Sequence, residues 1–289
     1  MEKSTSGWIN GFIGVAIFAG SLPATRVAVA TFDPTFLTCA RATIAALVSA
    51  LFLLALRQPL PKRADVGSLV VTALGVVIGF PLLTALALQH VTSAHSIVFV
   101  GLLPLCTAGF AVLRGGERPR PLFWVFSLIG AGLVVGYASS NGAQASVVGD
   151  LLMLAAVVVC GLGYAEGARL SRTLGGWQVI SWALLVAAPA MLLLTLANFP
   201  SLGSLAEVSA PAWFSFAYVS LFSMLLGFVF WYRGLVQGGI AAVGQLQLLQ
   251  PFMGLGLAAV LLHEHVSWAM LAVTLGAVAC VAGAKRYAR

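Results

Sequence analysis

Long apolar runs, broken at short intervals by clusters of charge, proline and glycine, dominate this 289-residue chain. Ten runs can be marked, at about 8–30, 34–56, 66–88, 93–113, 121–138, 148–168, 177–197, 211–233, 240–262 and 267–284. Each is close to the roughly 20 residues that carry a helix across about 30 Å of hydrocarbon. The pattern predicts an all-α membrane protein of ten transmembrane helices. The connections are too short to hold a soluble domain, so whatever the chain does happens inside or across the bilayer.

Composition sharpens this picture. With 61% hydrophobic and 8% charged residues and a mean hydropathy of +1.03, the chain cannot be a water-soluble globule, whose charged fraction is near a quarter. The net charge of +7 invites a nucleic-acid partner, but its distribution argues against one. Every lysine and arginine except Arg26 and Arg41 falls at a terminus or in an even-numbered connection, which places them on one side of the membrane. Basic loops stay in the cytoplasm, so both termini are expected there, in a bacterial-type inner (plasma) membrane. Asp33, Asp150 and Glu207 mark the opposite face. The first thirty residues imitate a secretory signal, with Lys3, an apolar stretch and Ala28-Val29-Ala30. Removing them would leave nine helices, so the segment reads as the first span. Cys39, Cys106, Cys160 and Cys280 lack metal or redox spacing and read as small apolar packers.

The chain also echoes itself. Pro104 to Glu117 and Pro251 to Glu264 each read as proline, twelve residues of mostly apolar helix, then glutamate. Gly79-Phe80 with Gly227-Phe228, Gln89 with Gln237 and Arg26 with Arg169 follow in the same order. Two five-helix repeats are therefore expected, residues 1–145 and 146–289. An odd number of spans per repeat forces the second to enter the membrane inverted. Carriers built this way place their substrate at the midplane where the halves meet.

Pro104 to Glu117 followed by Gly130, Pro251 to Glu264 followed by Gly276, Arg41 early in the second helix and Gly149-Asp150-Leu151-Leu152 opening the sixth resemble the drug/metabolite transporter superfamily with its paired EamA-type repeats. The resemblance spans almost the whole chain. It implies ten helices around a central cavity and alternating access to the two sides. Within that superfamily the chain looks most like bacterial exporters of amino acids, aromatic ones included.

Candidate working residues follow from chemistry. A cavity for a zwitterionic amino acid needs polar groups for two charged ends and apolar walls for the side chain. His95, Tyr164 and Gln245 are the polar candidates; Phe12, Phe80, Phe99 and Trp182 are the apolar ones, against the plain alternative that such aromatics pack or face lipid. Arg41 reads as a structural anchor. Pro23, Pro81, Pro104, Pro189 and Pro251 are expected to kink helices and act as hinges. Arg26 with Glu264, and Arg169 with Glu117, would latch opposite gates if paired; otherwise they are independent solvated charges. Glycines four apart, such as Gly7 and Gly11, Gly75 and Gly79, Gly132 and Gly136, Gly163 and Gly167, and Gly234 and Gly238, suit close helix packing.

No phosphate-cradling or dinucleotide loop occurs, and His263-Glu264-His265 has the wrong spacing for a zinc hydrolase helix, so neither cofactor nor metal is expected. No chain of membrane carboxylates suggests a proton pump, which favours facilitated or exchange transport. The expected function is export of small amphipathic metabolites, best matched by amino acids with aromatic or bulky apolar side chains. Its partners are that solute and membrane lipid, with no oligomer required. Rivals are a carrier of other metabolites or drugs, a multipass enzyme acting on lipid, which would need clustered catalytic groups at one depth, and a channel, which would need a polar stripe.

Overall fold

The computed structural model describes residues 2–115, 120–140, 146–238 and 244–287. Their regular structure is entirely helical. We label the main rods α1 (Thr5–Ala28), α2 (Pro34–Ala55), α3 (Arg63–Ala87), α4 (Ser93–Leu113), α5 (Pro121–Ser140), α6 (Val147–Leu174), α7 (Gly176–Ala197), α8 (Ala210–Gly234), α9 (Leu246–Leu262) and α10 (Trp268–Arg286). Seven of them, α1 to α4 and α6 to α8, are long and apolar enough to cross a membrane; α5, α9 and α10 contain shorter apolar stretches. Their outer surface is itself apolar: Leu54, Leu128 and Phe214 are each more than 70% exposed. Polar side chains such as Ser49, Ser93, Ser96 and Thr274 are buried. This arrangement suits lipid as the surrounding solvent.

Turn chemistry sets the starts. Asp33 accepts from the backbone N–H groups of Thr35 (2.8 Å) and Phe36 (3.0 Å), with Pro34 in the first turn of α2. Thr92 and Ser146 cap α4 and α6.

Three of the five expected kink prolines lie near the start of a helical piece rather than in a helix interior. α1 breaks at Gly20 and resumes at Ser21, so Pro23 is in the first turn of a new piece. α4 breaks after Val100, and Pro104 is the second residue of Leu103–Gly115. A 3-10 turn, Gly244–Leu249, leads into α9 and runs into its α-helical part Gln250–Leu262, whose second residue is Pro251. In a first turn the missing N–H costs little. Pro81, by contrast, lies inside α3, which runs unbroken through a π-helical stretch Ala73–Gly79 into Phe80–Ala87. Pro23, Pro104 and Pro251 mark restarts; Pro81 and Pro189 lie inside continuous helices, and Pro189 is exposed. A second π-helical stretch, Tyr218–Leu226 in α8, ends at Gly227-Phe228 with no proline to account for it. The Tyr218 hydroxyl donates to the Ile17 carbonyl at 2.6 Å, next to the break in α1. A side chain inserted at a helix ladder is a recognised cause of such a break.

The packing has a regular logic. α1 packs on α8 and α3 on α6; α4 packs on α6 and α9 on α1; α2 packs on α7, α4 on α9 and α5 on α10. Exchanging the first five helices for the last five maps this set of pairings onto itself. Two crossings depend on glycine. A Cβ on Gly75 would lie 2.8 Å from the Gly163 Cα, and one on Gly234 would lie 2.5 Å from the Gly11 backbone nitrogen, so backbones meet where side chains ordinarily intervene. Gly132 and Gly136 face open space, and that pair brings no helices together.

Candidate functional site: a cavity between the two sets of helices

A cavity with about 40 Å³ of room for the centres of water-sized molecules lies between the helices. One wall comes from α1 to α4, the other from α6, α8 and α9. Phe18, Phe80, Tyr164 and Phe228 supply aromatic surface, with Tyr164 set edge-on to Phe228 at 6.0 Å. Polar groups are few: Ser21, Thr25, Thr84, Ser223, Gln250 and Arg41. Apolar walls with sparse polar anchors are the usual make-up of a small-molecule site.

Arg41 is the one charged residue in this lining among the described residues. It sits about 10 Å from the Pro34 end of α2, at 1.5 Å per residue, and is 5% exposed. A charge at such depth costs at least about 2.5 to 3.5 kcal/mol on insertion scales and ordinarily finds a carboxylate. Among the described residues Arg41 has none within ion-pair distance. Its Nη2 donates to Ser223 Oγ at a long 3.4 Å, and its Nε has no partner. Ser223 Oγ is also 2.6 Å from Ser21 Oγ. Across the cavity, Gln250 Oε1 is buried and likewise without a partner.

A second buried polar cluster is closed instead. His95 Nε2 lies 2.6 Å from Asp150 Oδ1, and the Tyr137 hydroxyl is 3.3 Å from His95 Nδ1. The pair joins α4 to the first turn of α6, where a carboxylate also meets the positive end of the helix dipole. Beside it, the Glu264 carboxylate accepts from Ser93 N–H (3.1 Å), Ser93 Oγ (2.7 Å) and Ala94 N–H (2.7 Å), capping α4 from the loop after α9.

Of the residues picked from the sequence, Phe80 and Tyr164 line the cavity. His95 does not; it is consumed by Asp150 and Tyr137. Phe99 is buried against His95, at 5.6 Å between rings, and Trp182 packs against the core. Phe12 is 47% exposed on the outer surface, because α1 buries its Gly11 and Gly14 side against α8. The side chain of Gln245 lies outside the described residues; Gln250, just over one turn further on, reaches the cavity. Pro81 and Pro251 line it too.

The proposed latches also differ. Arg26 donates to the Leu88 carbonyl, while Glu264 is occupied at the start of α4, so the two do not pair. Arg169 bonds Glu166 at 3.0 Å within its own helix and also Ser68 Oγ; Glu117 lies outside the described residues. Sequence reasoning passed over Arg41, Ser21, Ser223 and Gln250 as cavity groups. Arg41 and Gln250 carried a signal, the rarity of a charge or an amide inside a membrane helix; the serines resemble many others in the chain.

Comparison with known proteins agrees with this architecture. A 289-residue alignment at 65% identity, covering 100% of both chains, relates it to the "Uncharacterized transporter YdeK" of Bacillus subtilis (strain 168). The "Uncharacterized transporter YyaM" of the same organism is 22% identical over 236 residues, covering 78% of this chain and 77% of the relative. A solved crystal structure shares the fold with a TM-score of 0.64 at 21% identity, over 97% of this chain and 96% of the other. The EamA-like transporter family model matches residues 5–137 and again residues 147–284; the chain belongs to this family and is a multi-pass membrane transporter.

Proposed function

We propose that the chain is a secondary carrier exporting small amphipathic metabolites, with amino acids bearing aromatic or bulky apolar side chains as the preferred class. The observation that carries this reading is the central cavity, apolar-walled and aromatic, with unpartnered polar atoms at Arg41 and Gln250. Such a hollow suits a solute with a polar head and an apolar body.

In this reading residues 1–145 and 146–289 are two inverted five-helix repeats, and all ten rods span the membrane. Support comes from the interchangeable helix pairings and from the two separate family matches. One repeat rocks against the other and exposes the cavity to each side in turn. The restarts at Gly20, Gly101 and Gln250 and the π-helical stretches of α3 and α8 surround the cavity and serve as its bending points. The termini and basic loops lie in the cytoplasm of a bacterial cell.

The test is counterflow of labelled L-phenylalanine and L-leucine into proteoliposomes holding the pure protein. Saturable, mutually competitive exchange is expected. Absence of movement for every amino acid in a full panel overturns the amino-acid reading.

A further inference from the structure

We infer that Arg41 is the anchor for a carboxylate, and that the cavity recognises its solute chiefly through that single negative charge, with Gln250 Oε1 as a weaker, neutral acceptor for an ammonium group. The inference deepens the amino-acid reading and rests on the same cavity, but it makes a separate claim about which end of the solute is bound.

Three observations converge on it. The guanidinium is buried, lines the cavity and keeps Nε without a partner. Its contact to Ser223 at 3.4 Å is at the weak limit of a hydrogen bond, and Nε makes none, so the guanidinium's five donors are poorly engaged by the protein. No carboxylate belongs to the cavity lining among the described residues, so the positive charge has no protein counter-ion there. A solute carboxylate supplies that charge and accepts two parallel N–H bonds from the guanidinium fork. Ser223 and Ser21, linked at 2.6 Å, stand beside it as hydroxyl donors. The ammonium end of an amino acid meets no formal negative charge. It finds Gln250 Oε1 and the faces of Phe18, Tyr164 and Phe228, where cation–π attraction is available. Recognition is thus asymmetric: removing the amino group of a ligand costs little, and removing the carboxyl costs nearly everything.

The probes are L-phenylalanine, 3-phenylpropionate and phenethylamine, which share a ring and differ in charge. Their effect on the melting temperature of the detergent-purified protein is measured at matched ionic strength. L-phenylalanine and 3-phenylpropionate should both stabilise the wild type, with apparent affinities within about tenfold of each other. Phenethylamine should not. Arg41→Gln should weaken both acids by about a hundredfold, Arg41→Lys by less, and Gln250→Leu should weaken L-phenylalanine severalfold while leaving 3-phenylpropionate unchanged. Stabilisation by the amine equal to that by the acids, no stabilisation by either acid, or a folded Arg41→Gln protein that still responds to both would overturn the anchor. If Arg41→Gln does not fold, the three-ligand comparison on the wild type and the Arg41→Lys protein decides. Stabilisation by 3-phenylpropionate without transport of any amino acid leaves the anchor standing and removes the amino-acid reading alone.

Discussion

Two buried polar clusters in the same bundle have opposite character. His95, Asp150 and Tyr137 close on one another and hold α4, α5 and α6 together. Arg41 stands at the cavity wall with one long contact and an open Nε. Both put ionisable groups in a low-dielectric interior. One is satisfied by the protein; the other, in the proposed reading, is left for a solute that comes and goes. Burial alone therefore does not single out a binding residue; in the proposed reading it is burial without a partner, facing an open volume, that does.

The comparison can be attacked by mutation, with unfolding of the detergent-solubilised protein as the readout. The largest loss is expected for Asp150→Leu, which leaves the buried His95 ring nitrogen without its partner and should cost about 2 to 3 kcal/mol. The double replacement His95→Leu with Asp150→Leu should recover part of that loss, and an additive double mutant would show that the pair is not a unit. Glu264→Ala removes three hydrogen bonds from the start of α4 and should cost about 1 to 2 kcal/mol. An unchanged midpoint would show that the α4 terminus is satisfied without it. Thr43→Val breaks the 3.2 Å hydroxyl contact to Thr195 between α2 and α7 and should cost about 0.6 kcal/mol, the typical size for such bonds in membranes. Arg41→Met should have the smallest effect, leaving stability unchanged or slightly raised, because it removes a buried charge that the protein does not compensate. A loss comparable to that of Asp150→Leu would place Arg41 with the closed cluster and erase the distinction.

Backbone contacts supply an independent check. Gly75→Val forces a side chain against the Gly163 backbone and the Val159 carbonyl and should impair folding, whereas Gly132→Ala meets no neighbour and should be silent. Equal expression of folded protein from both would mean that α3 and α6 can part at little cost.

Much of the architecture was legible along the chain. Hydropathy located the rods from 34–55 to 268–286 because a bilayer requires a continuous apolar run of fixed length, and that requirement is written locally. Asp33 before Pro34 announced its own cap. The prolines were legible as special positions but not in kind: a proline in an apolar run reads the same whether it kinks a helix or begins a new piece, and only the breaks at Gly20, Gly101 and Leu249 separate the cases. Phe12 and Phe80 are likewise equivalent in sequence. One faces outward and the other lines the cavity because of how α1 and α3 rotate against their neighbours.

What the sequence determined by itself is the solvent, the spacing of the helices and the repeated order of motifs, since each depends on residues close together in the chain. Partnership arises only in three dimensions: Asp150 answers His95, Glu264 serves α4 rather than Arg26, and among the described residues no carboxylate answers Arg41. Those outcomes depend on which side chains meet across distances of 55 to 182 residues along the chain. Hydropathy, which counts residues one at a time, carries no record of such meetings.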